Sequence, residues 1–199
     1  MSASDSSVSR VRGQALPVRG NDMDTDRIIP ARFLKALTFQ GLGNHVFEDD
    51  RQLMSEHPFS DPRYVHATVL LVNENFGSGS SREHAPQALK RWGIAVCLGQ
   101  SFSDIFQGNA LAIGLPCATV GRDDIEFLMR SVENTPDITL LISISKLSVK
   151  CHGRKVSLAI PGPIRKALLD GNWDPASMLL EEFSQVRAVA ERLPYVTDF

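Results

Sequence analysis

The sequence is poor in several features that mark large protein classes. Cysteine occurs three times in 199 residues, at positions 97, 117 and 151, and no two cysteines are spaced as C-x-x-C. This odd, widely spaced set argues against a disulfide framework, and its spacing does not indicate a cluster site. Cys97 and Cys117 lie within strand-like runs, so we expect them to be buried structural cysteines.

Net charge and long apolar runs are also limited. The formal net charge is −2 at pH 7, which favours neither nucleic acid nor an anionic membrane as a partner. No apolar run approaches the ~20 residues that a membrane-spanning helix needs. The first thirteen residues, MSASDSSVSRVRG, lack the apolar core of a secretory signal. We therefore expect a cytoplasmic globular protein.

The most informative stretch covers residues 69–92 and reads VLLVNENFGSGSSREHAPQALKRW. Its apolar start, residues 69–72, predicts a short buried strand. Gly77 and Gly79 then flank Ser78, so the main chain there can take positive φ or approach a ligand closely. The stretch lacks the third glycine of a dinucleotide fingerprint and the lysine of a P-loop, so neither nucleotide motif is predicted.

A helix is predicted after this glycine turn. Ser80 has the spacing of a helix cap in a capping box, but Pro86 would then delete a hydrogen bond past the first turn. Either the helix begins near His84 or it is kinked there. A strand, a glycine turn and a helix N-terminus together indicate an anion site, because unpaired N–H groups face the turn. Arg82 adds donors suited to a carboxylate or phosphate.

The rest of the chain predicts strands that alternate with helices, followed by a hairpin. Strands are predicted at 14–18, 94–98, 117–120 and 138–144, with a hairpin over 147–160. Helices are predicted near 103–107, from 123, over 164–171 and from 174. Residues 1–12 are predicted to be frayed or an edge strand, and residues 44–62 to be a surface excursion. This alternation indicates an α/β protein.

Three aspartates alternate near the N-terminus, at positions 22, 24 and 26. The pattern resembles half of a calcium-binding loop, but the glycine and the distal glutamate of such a loop are missing. Local hydrogen bonding to the main chain is the simplest role for Asp24 and Asp26.

Four segments carry a resemblance to a known family. They are residues 22–35, 75–89, 101–106 and 109–116. In this order they resemble the small "swivel" component of the aconitase superfamily, in the branch that isomerises isopropylmalate. The resemblance is strong over residues 14–120 and weaker over the remainder. One departure is Ser78, where members of this branch usually carry cysteine.

The resemblance implies a fold and an activity. The fold would be a swivelling three-layer β/β/α domain of the aconitase C-terminal type over residues 1–135, with a C-terminal hairpin and helices over residues 136–199 packed on it or extending it. The activity would be that of a hydro-lyase in leucine biosynthesis, which converts 2-isopropylmalate to 3-isopropylmalate through isopropylmaleate. The chain would act only with a large subunit, as a heterodimer or heterotetramer. That subunit would hold a 4Fe–4S cluster, and this chain would bind no cofactor or metal.

The resemblance also implies roles for particular residues. Ser80 would be the catalytic base, acting as an alkoxide. The remaining catalytic residues would be Arg82 and Asp26, and the turn would contribute Ser81, Gly77 and Gly79 to substrate binding.

Substrate specificity is expected from the segment that begins at Pro30. Superfamily members that handle citrate bring an arginine to its third carboxylate, whereas isopropylmalate has a branched alkyl group there. Phe33 and Leu34 suit an apolar group, because an apolar contact cannot repay the burial of a carboxylate. Thr38 stands at the position aligned with the citrate-binding arginine, although Arg32 lies nearby in sequence.

Two alternatives stay open. The chain could be the small subunit of a related hydro-lyase that acts on citramalate, homocitrate or dimethylmalate. It could also be a stand-alone carboxylate-binding domain that uses the same turn and Arg82 without a cluster-bearing partner. Binding of a dicarboxylate by the isolated chain would distinguish this second alternative.

Overall fold

The fold is built on one curled sheet of seven strands. The computed structural model describes residues 7–35, 38–80, 82–174 and 183–193. The strands are β1 Arg10–Val18, β2 Val69–Val72, β3 Val96–Gly99, β4 Cys117–Thr119, β5 Thr139–Ser143, β6 Ser148–Cys151 and β7 Arg154–Ser157. Their order is β4-β3-β2-β1-β5-β6-β7. Strands β1 to β4 are parallel, and β5 to β7 continue from β1 as antiparallel neighbours.

Helices and short 3₁₀ turns connect the strands. The helices are α1 Thr25–Ile28, α2 Glu48–Leu53, α3 His84–Trp92, α4 Asp104–Ala112, α5 Arg122–Asn134, α6 Gly162–Asp170 and α7 Phe183–Ala190. The 3₁₀ turns are Ala31–Lys35, Leu42–His45, Pro58–Ser60 and Pro62–Tyr64. Within the part of the chain that the structure describes, none of the helices is long and apolar enough to cross a membrane.

The arrangement confirms the α/β class and explains the apolar runs. All four residues of β2 and of β3 are buried, as expected for parallel strands that are covered on both faces. The sheet also curls until its two ends meet. Thr119 on β4 and Ala159, which follows β7, exchange two main-chain hydrogen bonds of 2.9 Å each.

Strand β1 lies at the centre of this sheet. It pairs with β2 on one side, where Val18 lies opposite Val72, and with β5 on the other, where Arg10 lies opposite Ser143. The prediction of a frayed or edge segment up to residue 12 is therefore wrong for Arg10 and the two residues after it. The polar start of the strand misled the prediction, because its exposed side chains project from the face of a central strand.

The structure settles where two of the predicted helices begin. Helix α3 begins at His84, after Glu83, which makes no side-chain capping bond; the capping box on Ser80 is wrong, and the start near His84 is confirmed. Pro86 then lies in the first helical turn, where its missing N–H removes no helix hydrogen bond. Helix α5 begins at Arg122, after Gly121, one residue before the predicted start at position 123.

The segment over residues 44–62 is not a surface excursion. Phe47, His57 and Phe59 are buried, and the Phe59 ring contacts the Trp92 ring at 4.8 Å between centroids. The segment thus packs on the end of α3. The sequence also places the start of the last helix at residues 174–175, of which residue 175 lies outside the described residues.

Candidate active site

The candidate site forms where two neighbouring parallel strands end. Val18 of β1 and Val72 of β2 are register partners, so the loops that follow both strands meet at one edge of the sheet. The loop after β1 leads into α1. The loop after β2 contains residues 77–80, which we call the glycine turn.

Main-chain hydrogen bonds join the glycine turn to the start of α1. The N–H groups of Gly77 and Ser78 both donate to the Met23 carbonyl, at 2.7 and 3.2 Å, and the Thr25 N–H donates to the Ser78 carbonyl at 2.9 Å. Gly77 has φ +77° and Gly79 has φ +91°, in the left-handed region that favours glycine. The expected positive φ at both glycines is confirmed.

Helix α4 supports the glycine turn from the other side. The Ser103 hydroxyl donates to the Gly77 carbonyl at 2.5 Å and accepts the N–H of Phe106 at 3.3 Å. A Cβ atom on Gly77 would lie 2.3 Å from Cγ of Phe106. Any larger residue at position 77 must therefore displace either the turn or the Phe106 ring.

The exposed end of the turn keeps its polar groups available. Ser80 and Gly79 are exposed, and the N–H groups of both residues have no acceptor within the described residues. The N–H groups of Gly77 and Ser78 are already bonded to Met23. The predicted anion site is thereby narrowed to the Gly79 and Ser80 end of the turn.

Asp26 and Arg82 form a bidentate ion pair beside this turn. Nη2 of Arg82 donates to Oδ2 of Asp26 at 2.8 Å, and Nη1 contacts Oδ1. The Arg82 side chain is 14% exposed, whereas that of Asp26 is 53% exposed. Asp24 caps α1 by accepting the N–H of Arg27 at 2.8 Å. Local main-chain bonding is thus confirmed for Asp24, while Asp26 bonds to Arg82.

The structure locates the remaining predicted residues of the turn as far as it describes them. Ser78 is half-buried, and its hydroxyl lies 3.5 Å from the Asp22 carbonyl. Ser81 lies outside the described residues.

The predicted specificity residues lie on and after the first 3₁₀ turn. Phe33 and Leu34 are half-buried, and Thr38 is exposed. The Phe33 ring stacks on the His45 ring with 4.0 Å between centroids. This contact fixes one apolar side chain of the segment against the following 3₁₀ turn.

Arg32 is neutralised within the chain. Its Nη2 lies 2.7 Å from Oε1 of Glu48 and 2.7 Å from Oδ1 of Asp49. Burial acts to raise the pKa of Glu48, but hydrogen bonds from Arg32 and His45 outweigh it and leave that pKa below its ordinary value. The hydrogen bond from Arg32 likewise lowers the pKa of Asp49. Both carboxylates therefore stay ionised as partners of Arg32.

A large cleft near the site does not contain the turn. This cleft has a volume of about 630 Å³, and the residues that line it include Met23, Arg27, His57 and Tyr64. Ser80 and Arg82 are absent from its lining. Ser80 is exposed in this chain, although enzymes usually exclude water from the reacting groups.

The three cysteines lie on three different strands. All three are free and buried, as predicted for Cys97 and Cys117. Cys97 and Cys117 are register partners on β3 and β4, whereas Cys151 lies on β6. The hydrogen bond that the Cys117 thiol makes with Cys97, together with burial, raises the pKa of Cys117 well above its ordinary value, which disfavours the thiolate that metals bind. Among the described residues, no group of three or more His, Cys, Asp or Glu side chains is placed to hold a metal ion.

Sequence reasoning missed the hydroxyl of Thr25. This residue is 2% exposed, and its Oγ1 donates to the Ser80 carbonyl at 3.1 Å. The signal was available in principle, because adjacent parallel strands place their following loops side by side. Using it requires knowing that β1 and β2 are neighbours, and residue patterns alone do not give strand order.

The fold and the site define a class of protein. A model of the aconitase C-terminal domain matches residues 6–119, which is more than half of the chain and includes both loops of the site. The chain belongs to the aconitase C-terminal domain family.

Full-length relatives narrow this class. A 3-isopropylmalate dehydratase small subunit from Thermus thermophilus is 49% identical over 189 residues, covering 93% of this chain and 94% of the relative. One from Synechocystis is 46% identical over 192 residues, with 96% of each chain covered. A crystal structure of 3-isopropylmalate dehydratase from Methanocaldococcus jannaschii superposes with a TM-score of 0.65 at 25% identity, covering 90% of this chain and 98% of that one.

Proposed function

We propose that this chain is the small subunit of a 3-isopropylmalate dehydratase. It would isomerise 2-isopropylmalate to 3-isopropylmalate in leucine biosynthesis, by dehydration and rehydration, in complex with a large subunit in the cytoplasm. End-to-end similarity to small subunits of that name supports the proposal. The observation that carries it is the glycine turn, which is fixed by α1 and α4 and leaves Ser80 and two N–H groups exposed beside Arg82.

The chemistry requires a base on one side of the substrate. Ser80 would take the proton from the carbon next to a carboxylate, and the free N–H groups of Gly79 and Ser80 would help to stabilise its alkoxide. Arg82, oriented by Asp26, would bind a substrate carboxylate, together with Ser81. Gly77 would act by shaping the turn, because both of its polar main-chain groups are already bonded within the chain.

The specificity segment supports a substrate with an alkyl group. Phe33 and Leu34 offer apolar surface, and Thr38 offers no positive charge. Arg32 directly precedes Phe33 in the sequence, but two carboxylates already bind it. A third substrate carboxylate would have to compete with both of these carboxylates for Arg32. An isopropyl group is therefore the better occupant of the space beside Phe33 and Leu34.

A second chain is needed to complete the site. Hydroxide is a poor leaving group, and a 4Fe–4S cluster would supply the Lewis acid that assists its departure. The cysteines of this chain do not fit such a cluster, so the large subunit would hold it. Docking of that subunit over the exposed glycine turn would also exclude water from Ser80.

The test is the hydration of isopropylmaleate under anaerobic conditions. The reaction is monitored as the decrease in the absorbance of isopropylmaleate. The chain is assayed alone and with a cluster-loaded large subunit, and we expect activity only in the mixture. Activity with citraconate or homoaconitate instead would show that the chain is the small subunit of a related hydro-lyase with a different substrate. Inactivity with all three, combined with dicarboxylate binding by the chain alone, would favour a stand-alone binding domain.

The base is tested with Ser80→Ala in the same mixture. Loss of a general base costs about 10²–10⁴-fold in rate, so we expect kcat to fall by at least about 10²-fold. Co-elution with the large subunit should be unchanged, because the Ser80 side chain makes no hydrogen bond within the described residues. Ser78→Ala is the matched control and should retain turnover. Near-normal kcat in Ser80→Ala would refute the assignment of the base.

A further inference from the structure

The first two residues of α1 contact three alternate residues of the opposite loop. The Thr25 N–H donates to the Ser78 carbonyl at 2.9 Å, and the Thr25 hydroxyl donates to the Ser80 carbonyl at 3.1 Å. Asp26 then binds the Arg82 guanidinium. Two consecutive residues of α1 thus bind every second residue of the loop after β2, at positions 78, 80 and 82.

The contact with Ser80 has no substitute within the described residues. Toward the amino end, the turn is fixed at Gly77 and Ser78 by Met23 and Ser103. Beyond Ser78, the hydrogen bond from Thr25 is the only one that the main chain of Gly79 and Ser80 makes with a described residue. Gly79, with φ +91°, adds no side chain that could restrict this end of the turn.

We propose that Thr25 is a positioning residue for Ser80, whose hydroxyl fixes the main chain from which the base projects. The proposal rests on the proposed function, in which Ser80 moves a substrate proton. Thr25 is buried and touches the turn through its hydroxyl and its N–H, so it acts through Ser80. An error of about 1 Å in the placement of a reacting group can cost about 10²-fold in rate.

Thr25→Val removes the hydroxyl and keeps the branched shape of the side chain. The Ser80 carbonyl lies at an exposed residue, so water can replace the lost donor and the fold should survive. We expect kcat of the reconstituted enzyme to fall by about 10- to 100-fold, while KM changes by less than about threefold, since Arg82 keeps its place on Asp26. Thr25→Ser retains the hydroxyl and should restore kcat to within about threefold of the wild type.

Thr119→Val is the matched control. The Thr119 hydroxyl also donates to a main-chain carbonyl, that of Ala159, at 3.3 Å, but it lies on β4, which β3 separates from β2 and the turn that follows β2. This variant should keep its kcat. A purely structural role for Thr25 predicts instead that loss of activity follows loss of stability, which the urea unfolding midpoint of each variant would reveal.

A readout independent of activity is the mobility of the turn. We expect ¹⁵N order parameters at Gly79 and Ser80 to fall toward about 0.6, the value typical of flexible main chain, in Thr25→Val but not in Thr25→Ser. Unchanged order parameters, or an unchanged kcat in Thr25→Val, would overturn the proposal while leaving the proposed function in place. A wild-type mixture without turnover would overturn both.

Discussion

At the scale of single residues, the geometry of Arg82 depends on one carboxylate. Asp26 binds both terminal nitrogens of the guanidinium, which fixes the plane in which Arg82 can present its remaining donors. The exposed Asp26 is the half of the pair that a substitution can remove without opening a cavity.

Asp26→Asn should therefore weaken substrate binding more than it weakens the fold. Loss of a charge-assisted pair is worth about 1.5–3 kcal/mol, or roughly 10- to 100-fold, and we expect kcat/KM for isopropylmaleate to fall by about that factor. Steady-state kinetics of the reconstituted enzyme measure it. Asp61→Asn, which breaks a similar pair with the exposed Arg63, should leave kcat/KM unchanged. Equal effects of the two substitutions would show that Asp26 has no special role.

The sequence could predict which residue types would meet at the site, but not their partners. Arg82 and the two glycines stand out locally, because glycine at positive φ and arginine near a helix start have recognisable reasons. Thr25, by contrast, is an ordinary threonine until the parallel pairing of β1 and β2 brings it to Ser80. Pairing over 55 residues of chain leaves no periodic signal.

At the scale of elements, the glycine turn and α4 are built as one unit. Ser103 caps α4 and binds the turn with the same hydroxyl, and the Phe106 ring occupies the space beside Gly77. The position of the turn is thereby set by a helix whose cap, Ser103, lies 26 residues beyond Gly77 in the chain.

Two glycine substitutions distinguish the packing of the turn against α4 from the general effect of replacing glycine with alanine in a helix. Gly77→Ala places a Cβ 2.3 Å from Phe106 at φ +77°, so overpacking and strain should destabilise the protein by about 2 kcal/mol or more. Gly108→Ala lies within α4 with nothing within 4 Å of the added Cβ, and it should stabilise by about 1 kcal/mol. Urea unfolding measures both. Equal and small changes would mean that the turn adapts without cost.

Element types were more predictable than element ends. The helix predicted near 103–107 continues to Ala112, although Gly108 and Asn109 favour a loop. Burial of Phe106 and Ala110 outweighs these weak local preferences. The buried aromatic residues of the 44–62 segment follow no helical or strand period, so the sequence could not show that they pack on α3.

At the scale of the whole molecule, acid should weaken the fold through His57. This histidine is buried beside Phe47 and Phe59, with ring centroids 5.2 and 5.9 Å away. Burial lowers its pKa, so the unfolded chain binds a proton at a higher pH than the native protein does. The contribution of His57 to the free energy of unfolding is therefore fully present above its pKa in the unfolded chain, about 6.5. This contribution declines as the pH falls below that value.

His57→Gln should reduce this acid sensitivity. One proton contributes at most about 1.4 kcal/mol per pH unit, so the unfolding free energy of the wild type should fall by up to about that amount per unit below about pH 6.5. Urea unfolding at pH 7.5, 6.5 and 5.5 measures the slope. His66→Gln, at an exposed position, should keep the slope of the wild type. Identical slopes in all three proteins would exclude His57 as the source.

The contact between Thr119 and Ala159 has a consequence for how molecules of this protein meet one another. An open sheet ends in rows of unpaired N–H and C=O groups, and such rows can template pairing with another chain. Here the short edge strand β4 bonds to the chain beyond the other edge strand, and Arg154 and Lys155 place charge along β7. The curl that shapes the fold thereby also protects crowded molecules from aggregation through their strands.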